Sequence, residues 1–131
     1  MEKTQYGFRK TVKLSYEEAI EKVTQALKEE GFGILTQIDV KDTLKKKLNV
    51  DFRKYIILGA CNPPFAYQSL QAETEIGLLL PCNVIVYEDN SGNAVVSAID
   101  PESAMSMIDN TKLKEIAAQV GNKLKKVIDG L

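Results

Sequence analysis

The sequence contains no histidine and no tryptophan. Without an imidazole, Ser-His-Asp and Cys-His catalysis, HExxH metal sites and any histidine proton shuttle are excluded within one chain. A general base would have to be Asp, Glu, Lys, Tyr or a thiolate. The missing tryptophan removes the strongest stacking residue. No GxxxxGK(S/T), GxGxxG or CxxC motif occurs, so phosphate loops, dinucleotide fingerprints and dithiol redox motifs drop out too. No apolar run approaches the roughly 18–20 residues of a transmembrane helix. The N-terminus, MEKTQYGFRK, lacks the apolar segment of a signal peptide. Cysteine is scarce: two residues, with no export signal, are expected to be reduced thiols in the cytoplasm. Neither charge is in excess, because 17 basic and 18 acidic residues leave a net charge of −1. No overall field draws in nucleic acid or anionic lipid.

What is there is ordinary in bulk and uneven in detail. A chain of 131 residues is the size of one domain, and it is long enough to bury a core of its own. Hydrophobic residues make up 44% and charged residues 27%, as in globular proteins generally. The densest apolar stretch is Tyr55 to Glu88, YIILGACNPPFAYQSLQAETEIGLLLPCNVIVYE. It holds both cysteines and three of the four prolines.

Two helices are written plainly. Ser15-Tyr16-Glu17-Glu18 fits a capping box. Tyr16, Ala19, Ile20, Val23 and Leu27 then form one apolar stripe, which Gly31 ends. Near the C-terminus, Leu113, Ile116, Ala117, Val120, Leu124, Val127 and Ile128 form a second stripe, predicting a helix from about Thr111 to Ile128. Gly121 inside it costs about 1 kcal/mol relative to alanine, which a close packing contact would explain.

Between these lie shorter elements. Residues 7–14 alternate with period two and suggest an outer strand. Phe32 to Ile38 reads as a strand, followed by a short helix from Val40 to Leu48 with Val40, Leu44 and Leu48 inward and Asn49 at its end. Arg53 to Cys61 is a strand apolar on both faces, hence covered on both or central. Asn62-Pro63 opens a helix whose Phe65, Ala66 and Leu70 face inward. Leu78 to Tyr87 is a strand interrupted at Pro81. Asp89 to Asn93 makes a hairpin loop before the strand Ala94 to Ile99. Asp100-Pro101 starts a short helical turn that runs to Met107. The fold class is therefore α+β, one domain over residues 1–131, with about five strands in the order β-α-β-α-β-α-β-β-α.

ILGACNPPFAYQSLQ and GLLLPCNVIVYE, preceded by GFGILTQIDVKDTLKKKL, closely resemble the domain of unknown function 302 family. The likeness spans roughly residues 8–128, and its most specific pieces are GACNP and LLPCNV. It implies a single curved, mainly antiparallel sheet backed by helices, likened to the TATA-binding-protein fold. That family has no established biochemical function, so the resemblance implies no activity.

The candidate site follows from the residues. Cys61 ends a strand just before a helix N-terminus, whose free amides and positive dipole end lower a thiol pKa. Against this, cysteine is among the most buried residue types and serves as a small core hydrophobe. Cys82 heads another strand and could pair with it in redox chemistry or as a second soft ligand. A zinc site needs four ligands, and no histidine or third cysteine exists, so no metal or cofactor is expected. Asp39, Asn62 and Asp100 are each explained as helix N-caps, worth typically about 1 kcal/mol. If such helix starts, with Asn83, converge on one cleft, their amides suit an anion. Lys41, Lys45, Lys46, Lys47, Arg53 and Lys54 make residues 41–54 basic, but no aromatic residue lies between Lys41 and Lys47. A solvated face accounts for them better than nucleic acid does.

The expected protein is thus cytoplasmic and non-catalytic, a domain that binds a small ligand or self-associates. Its binding residues would be Asp39, Cys61, Asn62, Cys82 and Asn83. Its partners would be a second copy of the chain and a small anionic ligand, with no membrane and no nucleic acid. The alternative is a thiol-dependent activity, redox or metal-linked, centred on Cys61 with Cys82.

Overall fold

In the computed structural model, which describes residues 1–131, the strands are β1 (Glu2–Lys3), β2 (Gly7–Val12), β3 (Gly33–Asp39), β4 (Tyr55–Cys61), β5 (Cys82–Glu88) and β6 (Ala94–Ile99). The helices are α1 (Tyr16–Glu29), α2 (Val40–Leu48), α3 (Pro63–Ala72), α4 (Pro101–Ala104) and α5 (Thr111–Asp129), with a 3-10 segment over Thr74–Leu79. All six strands form one antiparallel sheet in the order β1-β2-β6-β5-β4-β3. The α+β class is as the sequence implies. The count is six strands, not five, because the two-residue β1 is too short to carry any period. With β1 outside it, β2 is second from the edge rather than outermost.

The capping box is present in full. Ser15 Oγ accepts from the Glu18 amide at 3.1 Å, and the Glu18 carboxylate accepts from the Ser15 amide at 3.1 Å. Helix α1 buries Ala19, Val23 and Leu27, and α5 buries its whole apolar stripe. These faces pack on alternate strand residues: Phe8 and Val12 of β2, Ile56, Leu58 and Ala60 of β4, Val84 and Val86 of β5, and Ala94, Val96 and Ala98 of β6. The register places Leu58 opposite Val84 and Val84 opposite Ala98, so one face of the sheet supplies the core. Each fully buried Leu, Ile or Val there contributes roughly 1.5–3 kcal/mol. Gly121 needs no close contact, since a Cβ there would meet its nearest neighbours at 3.6 Å, which alanine tolerates.

Two expectations fail for identifiable reasons. Helix α2 spans Val40–Leu48 and ends at Asn49 in the left-handed region (φ 53), as predicted, but it buries no residue and Leu48 is exposed. The helix meets β4 and β3 closely enough to half-bury Val40 and Leu44, but its last turn lies uncovered. Leu78 to Leu80 are not strand: the 3-10 segment reaches Leu79, and β5 starts at Cys82, after a cis bond between Leu80 and Pro81. Strand β4 lies inside the sheet between β5 and β3, the second of the two arrangements its apolar faces imply, and it packs on the core through Ile56, Leu58 and Ala60. Its other face covers itself, with Tyr55 stacked on Tyr87 at 5.5 Å and Ile57 opposite Ile85.

Candidate functional site

Antiparallel pairing decides which turns meet. Asp39 ends β3 opposite Ile56, whereas Cys61 ends β4 opposite Gly33, so the two turns lie at opposite ends of the sheet. Cys82 pairs with Ala60 and Val84 with Ala98, which puts Asn62, Cys82 and Asp100 at the same end. A pocket of about 330 Å³ opens there. Its floor is Ala60 and Cys82 of the sheet with Phe32, and its back wall is Ile116, Ala117 and Val120 of α5. Phe65, Ala66, Ser69 and Leu70 of α3 form one side; Leu80 and Pro81, then Pro101 and Met105, close the other. Of 18 lining residues 13 are hydrophobic, and none is Lys, Arg, Asp or Glu.

The polar groups in the lining are few and mostly engaged. Ser69 Oγ donates to the Phe65 carbonyl at 2.8 Å, within its own helix. Asn62 is buried, yet it does not cap α3 with its side chain. A cap accepts from the amide two or three positions on. Pro63 and Pro64 fill the first two helical positions and carry no N–H. Instead, Asn62 Nδ2 donates to the Glu30 carbonyl at 3.3 Å, tying the pocket to the end of α1. Gly31 makes room for this amide: its φ is 86°, and a Cβ would stand 3.1 Å from Asn62 Nδ2. The Glu30 carboxylate in turn pairs with Lys126 at 3.2 Å and Lys123 at 3.7 Å on α5.

Both cysteines are free and line this pocket. Burial raises the Cys61 thiol above its ordinary value. Burial pushes the Cys82 thiol up to about 11, with nearby Cys61 adding to the shift. Both are therefore neutral thiols at neutral pH. The helix start beside Cys61 was expected to lower its pKa; desolvation acts in the opposite direction. No group of three Cys, Asp or Glu is arranged to hold a metal ion.

Of the five expected binding residues, the pocket gathers Cys61, Asn62 and Cys82. Asp39 is a true N-cap, its Oδ1 accepting from the Asp42 amide at 2.9 Å, and it stands at the far end. Asp100 Oδ1 likewise accepts from the Glu102 amide at 3.1 Å. Asn83 is exposed and pairs with Gly59 on the face of the sheet away from the core. The basic residues of 41–54 are mostly tied down locally: Lys46 to Asp42 at 2.9 Å, Lys54 to Glu17 at 2.7 Å, and Lys41 to the Phe52 carbonyl at 2.7 Å. Sequence reasoning missed the α5 wall, because Ile116 and Val120 belong to a stripe that any core helix shows. The three prolines 63, 64 and 81, clustered around both cysteines, were the available signal.

Comparison with known proteins agrees with this architecture. No curated protein matches the chain. The fold is similar to the crystal structure of an uncharacterized conserved protein DUF302 from Bacillus stearothermophilus, with a TM-score of 0.89 and 33% sequence identity. The likeness covers 96% of this chain and 98% of that one. The profile of the Domain of unknown function DUF302 matches residues 8–131. The chain belongs to the DUF302 family.

Proposed function

We propose that this protein binds a small, uncharged and largely apolar molecule in the pocket between α3, α5 and the Cys61–Cys82 end of the sheet. The single observation behind this reading is the lining: about 330 Å³ of space, 13 apolar residues of 18, and no charged side chain. Ligand sites are typically apolar hollows of this order with a few polar groups that fix orientation. Here those groups are the oxygen of the Asn62 side-chain amide, whose nitrogen already donates to Glu30, and the two neutral thiols. The anion expected from converging helix starts fits less well. The three starts are divided between two ends, α3 begins with two prolines, and no lysine or arginine faces the hollow. Two free thiols also fit a reducing, cytoplasmic setting.

The test is titration with the neutral fluorophore N-phenyl-1-naphthylamine, beside native and denatured mass spectra of the purified protein. The expected result is saturable one-to-one binding that Ala66→Phe, on the half-buried wall of α3, weakens at least tenfold while the circular dichroism spectrum is unchanged. Medium-chain alcohols should displace the probe better than the matching carboxylates. Absence of saturable binding by the unaltered protein would end the proposal.

A further inference from the structure

The two edges of the sheet are treated differently. One edge, β1, is two residues long, and both residues are charged. A short, charged edge strand discourages pairing with another chain. The other edge, β3, runs for seven residues as GILTQID, with no lysine and no proline and a charge only at its last residue. It is almost wholly exposed. Its only protection is a bulge, where Leu35 has no partner in β4 and turns to solvent, 65% exposed. Beyond the bulge, Thr36 to Asp39 is regular strand with a free outer side.

The surroundings of this edge are unusually apolar. Ile38 is 48% exposed on the strand, and Leu48, Val50 and Phe52 are exposed on the helix and loop that follow. Helix α2 itself buries nothing. With Leu35, these five side chains leave roughly 500 Å² open, more than half of the ~800 Å² that each partner gives to a standard interface.

We infer that β3 is a homodimer interface, pairing antiparallel with β3 of a second copy to make one twelve-stranded sheet. The pairing is self-complementary. A two-fold axis perpendicular to the sheet at Gln37 sets Thr36 opposite Ile38, residues that share one face, and keeps both helix layers on one side. Asp39 then stands opposite Leu35 rather than the second Asp39, so no like charges meet. Leu35 also lines the pocket, which brings the second copy to its rim. This surface is separate from the ligand reading and does not depend on it. The C-terminal helix is not available for the same purpose, since its apolar stripe is spent in the core.

Sedimentation velocity over a micromolar concentration series tests the interface, with hydrogen exchange at β3 as a second readout. The unaltered protein should sediment at twice the 14.5 kDa chain mass. Thr36–Asp39 amides should be protected in that dimer. Ile38→Lys should raise the dissociation constant at least tenfold and deprotect those amides. Gln37→Lys, at an exposed position, should do the same by setting two ammonium groups at the axis. Leu78→Lys, at an exposed residue of the 3-10 segment, should leave the dimer intact. A monomer at every concentration overturns the inference, as does a dimer indifferent to both β3 variants.

Discussion

Asp39 and Asn62 hold the same position in the chain's pattern: each is the last polar residue after a strand and the first before a helix. At Asp39 the side chain does what that pattern promises and caps α2, in solvent, beside a helix with no buried residue. At Asn62 two prolines remove the nearest amides, and the side chain turns away to hold the end of α1. One turn therefore stabilises only its own helix. The other joins three elements around an apolar hollow. A capping residue is a local device where its helix stands alone and becomes part of a site where burial gives it another partner.

That contrast can be broken most severely at Gly59, towards the pocket end of β4 but on the sheet face away from the core. A Cβ there would overlap Thr36 Oγ1 and come within 2.8 Å of the Pro81 ring. Gly59→Val should cost about 3 kcal/mol, the upper end of overpacking penalties, measured by urea unfolding. An equally stable variant would mean that the Pro81 turn at the pocket is soft, like the Asp39 end.

A second effect belongs to Cys82. Its thiol is pushed up from 9.0 to about 11, so the native state keeps a proton that the unfolded chain releases. The resulting stabilisation is complete below pH 9 and is lost as pH rises through 11. The unaltered protein should lose on the order of 2 kcal/mol more across that range than Cys82→Ala does. Identical pH profiles of thermal unfolding would show that the thiol is better solvated than its packing implies.

The smallest effects separate the two turns directly. Asn62→Ala leaves the half-buried Glu30 carbonyl without its donor and should cost about 1–2 kcal/mol. Asp39→Ala removes one exposed cap and should cost about 1 kcal/mol. Only the first should weaken binding of N-phenyl-1-naphthylamine. Equal effects of both on the probe would erase the distinction between the two ends.

Much of this was legible in the chain. The capping box and stripe of α1, the stripe of α5, the left-handed Asn49 and the two apolar strands carrying the cysteines all follow from local rules, because hydrogen-bond chemistry and periodicity act over a few residues. What escaped depended on distant neighbours. Leu48 fits an inward stripe, but α2 meets β4 and β3 without covering its last turn. Leu78 to Leu80 are apolar enough for a strand, yet the chain turns there and only Leu80 reaches the pocket wall. Cys61 sits where a helix dipole lowers a pKa, and its burial in the folded chain desolvates it instead.

By itself, the sequence determined the class of fold, the kinds and approximate bounds of most elements, and the family. Those rest on short-range preferences summed along the chain. The tertiary structure alone decided that Cys61, Asn62 and Cys82 share a hollow while Asp39 and Asn83 do not. Antiparallel pairing reverses direction at every strand, so which ends coincide is a property of the sheet and of no segment within it.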